Sequence, residues 1–565
     1  MNNRLRDVKV AKGSEIFRSF GFSMARKIAG PALIALSLAA TAGSSVAAGS
    51  FGNAAPTQVL TAKTFTMLAG DHGTAAMGPV RQLQTAPLRI PIGDEALKAL
   101  KDKAASAVAA AADGVVTLSE NPASKVPSQS LVATCTTNSA VGFAPSDING
   151  ASSSTRLVVV TNIEVGVYNQ AGCGLVSKVP LKTFFGAFAP PAAETQFDPR
   201  VLYDRVTNRF FVTAESENSQ NTDQYQYFAV SKDSTATSWW LYRVVLSQVS
   251  TSTVFCKPAA NAFWDYPQAG VSNTRWFHTA NVFGASTRGA ILDIGKAPTL
   301  TGAGTVARCF ANLPFNTAAP QVLDLSTNAV FLSPGSGSGS SVARLDLFQS
   351  ASGVGSDTLT ARPAFPVIAW TAPPDVPQPN GTTLDSIDGR FENASIQSRG
   401  QLWNIHNVNI SGAAKLRWYT FNAASLSSST TTRQVTFQTS SLDRLFNPSI
   451  TTASGIAGAP AYISASRTIP SISTGAGNAA ALVFYGLNDD ASASDWTYTV
   501  SGTSAFQFSG CSPCRWGDYS SVTIDPSNNG SAWGFNQLVT GTSMFSWTTR
   551  AGKVNLTLPA APTTN

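Results

Sequence analysis

The stretch "CRWGDYSSVTIDP", residues 514–526, sets Arg515, Trp516, Asp518 and Tyr519 at the mouth of a strand-like run. Carboxylates in this position recur. "QFDPRVLYD" carries Asp198, "FWDYPQAGVS" Asp265 and "LDSIDGRFENASI" Asp388, while "LFNPSITT" has Asn447 in the same place. Weaker members are "FAPSDINGA", with Asp147, and "APQVLDLSTNAVFL", near Asp324. With Asp518 these seven positions are separated by 51, 67, 59, 64, 59 and 71 residues. Carboxylates brought together by such a repeat have three chemistries open to them. Two can act as an acid and base pair on a glycosidic bond, and Asp265 and Asp518 are the candidate catalytic pair if the protein is a hydrolase. Several can hold a divalent cation such as calcium, although nothing in the chain demands a cofactor. They can also accept the hydroxyls of a sugar, with Trp264, Tyr266, Trp516 and Tyr519 offering aromatic faces beside Asp198, Asp388 and Asp147. Arg200, Arg390 and Arg515 lie near the same positions and would temper the repulsion, favouring an anionic ligand over a metal. The same spacing also describes Asx-type turns that simply hold the backbone.

Elements of strand length must position these residues. "RVLYD" (200–204), "RFFVTAE" (209–215), "YQYFAVS" (225–231) and "WWLYRVVL" (239–246) read as four consecutive antiparallel strands in fewer than fifty residues. That is the size of one blade of a propeller. Seven starts at a mean of about 62 residues then predict an all-β, seven-bladed β-propeller of four-stranded antiparallel blades over residues 131–558. Each recurring Asp would sit where an inner strand begins, at one rim of the axial tunnel. The final runs "MFSWTT" and "KVNLTL" are expected to close the last blade with an early segment near Leu131. Residues 49–130 read as an N-terminal extension, partly helical or flexible, with one helix over Asp94–Asp113, and residues 559–565 as a flexible tail.

Seven basic residues precede the apolar run Ile28–Ala40, and small residues follow, so residues 1–48 read as a signal peptide. The run is too short, and too interrupted by Gly30 and Pro31, to span a membrane. Cleavage would remove seven of the 39 basic and two of the 32 acidic residues, leaving a net charge of +2. That excludes the basic surface that nucleic-acid binding requires. The expected product is a secreted or periplasmic monomer whose partner is an extracellular glycan or other polymer. The six cysteines are even in number, which in an exported chain reads as disulfides. Proximity favours Cys135–Cys173, Cys256–Cys309 and Cys511–Cys514, the first two bracketing the first and third blades. The only histidines are His72, His278 and His406, too few to support zinc at Cys511-x-x-Cys514. His278 and His406 lie inside strands and read as packing residues. "DPSNNG" (525–530) reads as a hairpin turn, since the twelfth position of a calcium loop would be Asn536.

"GFAPSDINGASSSTRLVVVTNIEVGVYNQAGC", "FDPRVLYDRVTNRFFVTA", "SKDSTATSWWLYRV", "GQLWNIHNV" and "RWGDYSSVTIDPSNNGSAWGFNQ" together resemble secreted bacterial β-propellers of the sialidase-like, BNR-repeat type. The resemblance covers roughly residues 135–550. It implies the propeller fold and carbohydrate recognition or hydrolysis, within a group mostly lacking an established activity. In such a frame Arg200, Arg390 and Arg515 correspond to an arginine trio for a substrate carboxylate. The chain departs from the pattern in two ways. Ser231-Lys232-Asp233 with Trp239 and Trp240 lacks the Gly and the spacing of a true S-x-D-x-G-x-T-W box, and Asp490 to Trp496 is weaker still. No Tyr–Glu nucleophile pair can be placed by spacing.

Overall fold

Short β-branched and aromatic runs separated by Ser, Asn and Gly turns favour antiparallel strands, and strands dominate. The computed structural model describes residues 57–71, 114–120, 128–139, 143–190, 194–218, 224–250, 256, 262–283, 287–472, 478–490 and 495–557. Among these the only α-helix is Leu181–Phe184. In chain order the strands fall into seven groups, termed units 1 to 7: residues 149–180, 194–245, 263–313, 320–371, 395–438, 444–504 and 521–557. In unit 2 the strands Glu194–Asp204, Arg209–Asn218, Tyr225–Ser231 and Ser238–Val245 pair antiparallel in sequence, as the pattern predicts. In unit 4 the short first strand Pro320–Val322 bonds in parallel to the first strands of units 3 and 5.

The core lies between units rather than inside them. One apolar cluster joins units 1 and 2 through Val158, Phe184, Phe210 and Trp239. Further clusters occupy the seams 2/3, 3/4, 4/5, 5/6, 6/7 and 7/1. Each sheet is therefore covered on both faces, so middle strands such as Arg275–Phe283 are buried at every position. At the 2/3 seam Phe211 stacks on Trp276 with ring centroids 4.5 Å apart, a contact worth about 0.5–1.5 kcal/mol beyond area burial. No described sheet closes on itself through backbone hydrogen bonds. The first strands nevertheless touch in cyclic order, unit 7 against unit 1 included. One channel is lined from all seven units by Asn149, Arg200, Gln268, Gln321, Asn393, Ser449 and Ser521.

The extension behaves differently from its sequence reading. The helix expected over Asp94–Asp113, the signal segment 1–48 and the tail 559–565 lie outside the described residues. The described parts of the extension are strands, each laid on the outermost strand of a unit. Gln58–Leu60, Lys63–Thr66 and Gly70–Asp71 pair with units 3, 2 and 1. Val115–Thr117, Ser119–Glu120 and Ser128–Ser139 pair with units 5, 6 and 7. An outer strand left bare offers unpaired N–H and C=O groups to any other chain, and the strap occupies those groups on six units. Unit 4 has no strap strand. Its outer strand Thr358–Thr371 carries Pro363 and Pro366, whose carbonyls accept Ser429 and Thr431 hydroxyls.

All three expected disulfides are present. Cys135–Cys173 does not bracket one unit, as its sequence position suggests. Cys135 lies on the strap strand that completes unit 7, and Cys173 in the turn before the last strand of unit 1, so the bridge staples the seam between the last and first units.

Candidate functional site

The unit entries share a backbone device. Asp198, Tyr266 and Asn447 all adopt left-handed φ (47°, 61° and 50°) and all precede proline. At each the strand ladder slips, between Phe197 and Arg200, Asp265 and Gln268, and Phe446 and Ser449. A bulge turns the strand and re-aims its side chains, and Asp and Asn tolerate positive φ far better than Tyr does. The superposition of these slips corrects the repeat by one residue: the counterpart of Asp198 is Tyr266, and Asp265 stands where unit 2 has Phe197. Asp147 and Asn316 have the same hand, φ 45° and 60°. Asn316, rather than Asp324, thus opens unit 4. The carboxylate of Asp324 lies beyond Pro320–Val322 and accepts the Ser326 amide at 2.9 Å and the Arg399 amide, an Asx-type turn. In "RWGD", Gly517 has φ 149°, and a Cβ there would meet Ser146 Oγ at 2.9 Å, so only glycine fits where unit 7 abuts unit 1.

These entries clasp one another around the rim. Asn162 Oδ1 accepts the Asp198 amide at 2.7 Å, and its Nδ2 donates to Asp147. Asp147 Oδ1 accepts the Asp518 amide at 2.8 Å. Tyr519 Oη donates to Asp198 Oδ2 at 2.5 Å, and Tyr266 Oη to the Asp518 carbonyl at 3.3 Å. Asn316 Nδ2 reaches Asp388 Oδ2 at 3.4 Å, and Asp388 is held by Arg390 through two bonds of 2.7 and 2.9 Å. Asp147, Asp198, Asp265, Asp388 and Asp518 therefore belong to one face. Asp198 and Asp265 also meet a third carboxyl, Glu215, with one oxygen of each lying within 4.8 Å of the others.

Burial separates groups that can touch a ligand from groups that position them. Asp265 is partly exposed, and the Asp518 and Arg515 side chains are 19% and 30% accessible and bonded to each other at 2.8 Å. The other proposed ligand contacts are buried, which corrects several expectations. Trp264 is wholly inside the 2/3 seam, its Nε1 donating to Gln226 Oε1 at 3.0 Å. Trp516 packs between Phe446 and Phe508 and donates to Ser466 Oγ at 3.2 Å. Neither indole offers a face to a sugar. Tyr266 and Tyr519 meet edge to face beneath the rim with centroids 5.0 Å apart. Arg200 spends its fork on Pro267 O, Asn393 Oδ1 and Glu392 O at 2.7–3.2 Å and lies 3.1 Å from the Tyr519 ring centroid. Arg390 spends its fork on Asp388. The arginine trio is thus not assembled, because two of its three forks are satisfied internally. The aromatic surface that does reach solvent is Phe197 stacked on Phe263, centroids 6.0 Å apart and planes 4° apart, both half-buried.

The sequence reading missed Glu215, Asn162, Asn316 and Glu392. Glu215 carried a signal: a carboxylate in the interior of "RFFVTAESEN", flanked by the buried Ala214 and Ser216. His278 and His406 are buried strand residues, the latter held by Gly389 O and Tyr419 Oη at 2.6 and 2.9 Å, as expected of packing residues. Asp525 opens a tight turn, accepting the Ser527 amide at 3.0 Å and Lys553 at 2.6 Å, which agrees with a hairpin rather than a calcium loop.

Burial pushes the carboxyls upward from their ordinary range. For Asp198 the cause is burial, then the charges of Asp147, Asp265 and Asp518. For Glu215 it is burial, then Asp265 and Asp198. Burial also raises Asp265. Asp147 is pushed up to about 7, by burial and then by Asp518. From pH 3.8 to about 7 the folded protein holds a proton on Asp147 that the unfolded chain has released. Stability from this group is therefore present at low pH and lost as pH rises through that window, by up to about 1.4 kcal/mol per pH unit. Asp147→Asn is expected to reduce that downward slope by one proton's worth between pH 4 and 7, read from urea midpoints across the range. An unchanged slope would show that the Asp147 carboxyl is already ionised in the folded protein.

No family model matches the chain, and no curated protein matches it. Among solved structures it is similar to a GH43 β-1,3-galactosidase solved with galactodeoxynojirimycin, at 9% identity and TM-score 0.27, over 52% of this chain and 93% of that one. It is also similar to a mutant Trypanosoma rangeli sialidase displaying trans-sialidase activity, at 9% identity and TM-score 0.29, over 78% and 60%. A third is an exo-β-1,3-galactanase from Clostridium thermocellum, at 9% identity and TM-score 0.29, over 60% and 78%. Scores of this size carry no argument about fold or activity, and the functional case rests on the rim itself.

Proposed function

We propose that the chain is a secreted or periplasmic seven-bladed β-propeller that recognises a glycan or another extracellular polymer at its axial rim. The cyclic contact of seven first strands around one channel supports the blade count. Three disulfides fit an oxidising compartment, and among the described residues no helix is long and apolar enough to cross a membrane. The observation that carries the functional reading is the rim. Asp265, Asp518 and Arg515 reach solvent together, with the flat Phe197–Phe263 pair on the strands that present Asp265. Carboxylates accept sugar hydroxyls, a guanidinium donates to ring or carboxylate oxygens, and a stacked aromatic pair suits the apolar face of a pyranose.

A glycan array probed with the full chain tests this. Asp265→Asn and Asp518→Asn are expected to abolish capture, and Phe263→Ala to weaken it about tenfold, with thermal unfolding preserved. Capture that survives all three would remove the rim from consideration. A second reading, glycoside hydrolysis, rests on Asp265 alone. Its partly exposed carboxyl has a raised pKa and stands beside Asp518, a division suited to an acid and a base or nucleophile. It requires turnover of a captured glycan that disappears in Asp265→Asn.

A further inference from the structure

The most demanding feature of the rim lies just below its surface. Asp198 and Glu215 come from the first and second strands of unit 2, and Asp265 from the first strand of unit 3. Each offers an oxygen within 4.8 Å of the others. Glu215 is fully buried, and neither of its carboxyl oxygens accepts a hydrogen bond from an amide, hydroxyl or guanidinium. What faces it is the carboxyl of Asp265, with Asp198 beside it. A buried carboxylate without donors has lost its water and gained nothing in return. The nearby Arg200 is committed to Pro267, Asn393, Glu392 and the Tyr519 ring, so it does not close the gap.

We propose that Asp198, Glu215 and Asp265 bind one hard divalent cation of the calcium type. Three carboxylates carry a charge of −3, which a divalent ion reduces to −1. Nitrogen and sulfur donors are missing from the trio, which disfavours zinc, whereas an all-oxygen set suits calcium. Asp198 and Glu215 hold the ion from within, and Asp265, partly exposed, brings it to the rim. There its remaining positions are open to water or to vicinal hydroxyls. This last point rests on the glycan reading above; the ion site itself does not.

Terbium is the probe, because Tyr519 donates to Asp198 and its phenol can sensitise a lanthanide at the site. The full chain, stripped with EDTA and titrated with terbium in the absence of any glycan, is expected to show tyrosine-sensitised emission saturating at one ion. Calcium should displace it at about 10⁻⁴–10⁻³ M, the range of extracellular modules. Calcium should also raise the unfolding temperature. Glu215→Gln and Asp265→Asn should each weaken ion binding at least tenfold. Should Glu215→Gln fail to fold, the partly exposed Asp265→Asn carries the comparison. Absence of saturable emission, or wild-type affinity in a folded variant, overturns the proposal and leaves the trio sharing protons instead. A separate glycan-array arm, run with and without calcium, distinguishes the two readings. Ion binding without glycan capture removes the glycan reading alone, and calcium-independent capture removes the ion from recognition.

Discussion

Replacing Arg390 by Met is expected to lower the unfolding free energy by about 3–5 kcal/mol, the usual cost of removing one partner of a buried ion pair. Asp388 is 2% exposed and Arg390 6%, and their two bonds run at 2.7 and 2.9 Å. The Arg390 guanidinium also sits 4.0 Å from the Tyr266 ring centroid, over the residue that carries the strained backbone of the unit 3 entry. Without it Asp388 keeps only the Arg390 amide and Asn316 as partners among those bonds, and its charge has no counterion. The loss should be largely repaired by adding Asp388→Asn, because the burial of an unpaired charge, rather than the missing attraction, dominates the cost. Urea midpoints of the two variants and of the pair complete the cycle. A single-variant loss below about 1 kcal/mol would mean that water reaches Asp388 and that the rim is not dry at this point.

The second large effect is expected at the seam between the last and first units. Substituting both Cys135 and Cys173 by Ala opens a loop spanning 38 positions, and the chain-entropy relation puts the cost at about 4 kcal/mol. The Cys511–Cys514 bridge spans only 3 positions, so its removal should cost far less. The two outcomes separate by the shift in thermal midpoint under otherwise identical conditions. Seam weakening should also expose unit 7 first: Ser128–Ser139 and Trp547–Thr557 are expected to lose amide protection before units 2 and 3 in hydrogen exchange. Equal midpoint shifts for the two bridges would contradict the seam role.

Much of the architecture was legible because a repeat leaves the same mark many times. The four strands of unit 2 follow directly from runs such as "YQYFAVS", and the pairing of an early segment with the chain's last strand follows from the need to cover an edge. The rim was legible only to within one residue. Asp198 and Asp265 both stand beside proline-containing strand starts, but the bulge counts an extra residue that spacing cannot see, so Tyr266 and not Asp265 holds the position of Asp198. Trp264 and Trp516 looked like sugar platforms because they adjoin carboxylates in sequence. Neighbours along a strand face opposite ways, and both indoles point into seams. The strap strands were missed for a different reason. "QVL" and "VVT" have three residues each, too few for a period, and become strands only where an open edge supplies the partner. Glu215 was passed over because a carboxylate followed by Ser, Glu and Asn reads as a turn rather than as a group buried in a strand.

The strap places the protein's first and last segments in the same sheet: Arg550 donates to Thr136 at 2.6 Å across 414 positions of chain. Few pairings raise the contact order more, and rates of folding fall as contact order rises. A chain emerging from its N-terminus therefore carries Ser128–Ser139 without a partner until nearly everything else has been made. During that interval the strand is an unmatched edge, open to pairing with a second nascent copy. Units 1 to 6 can assemble progressively on their own strands, but completion of unit 7 is postponed to the end of synthesis. Truncation anywhere before Trp547 would leave that interval permanent. Such fragments should then accumulate as aggregates or chaperone-bound species rather than as smaller soluble domains.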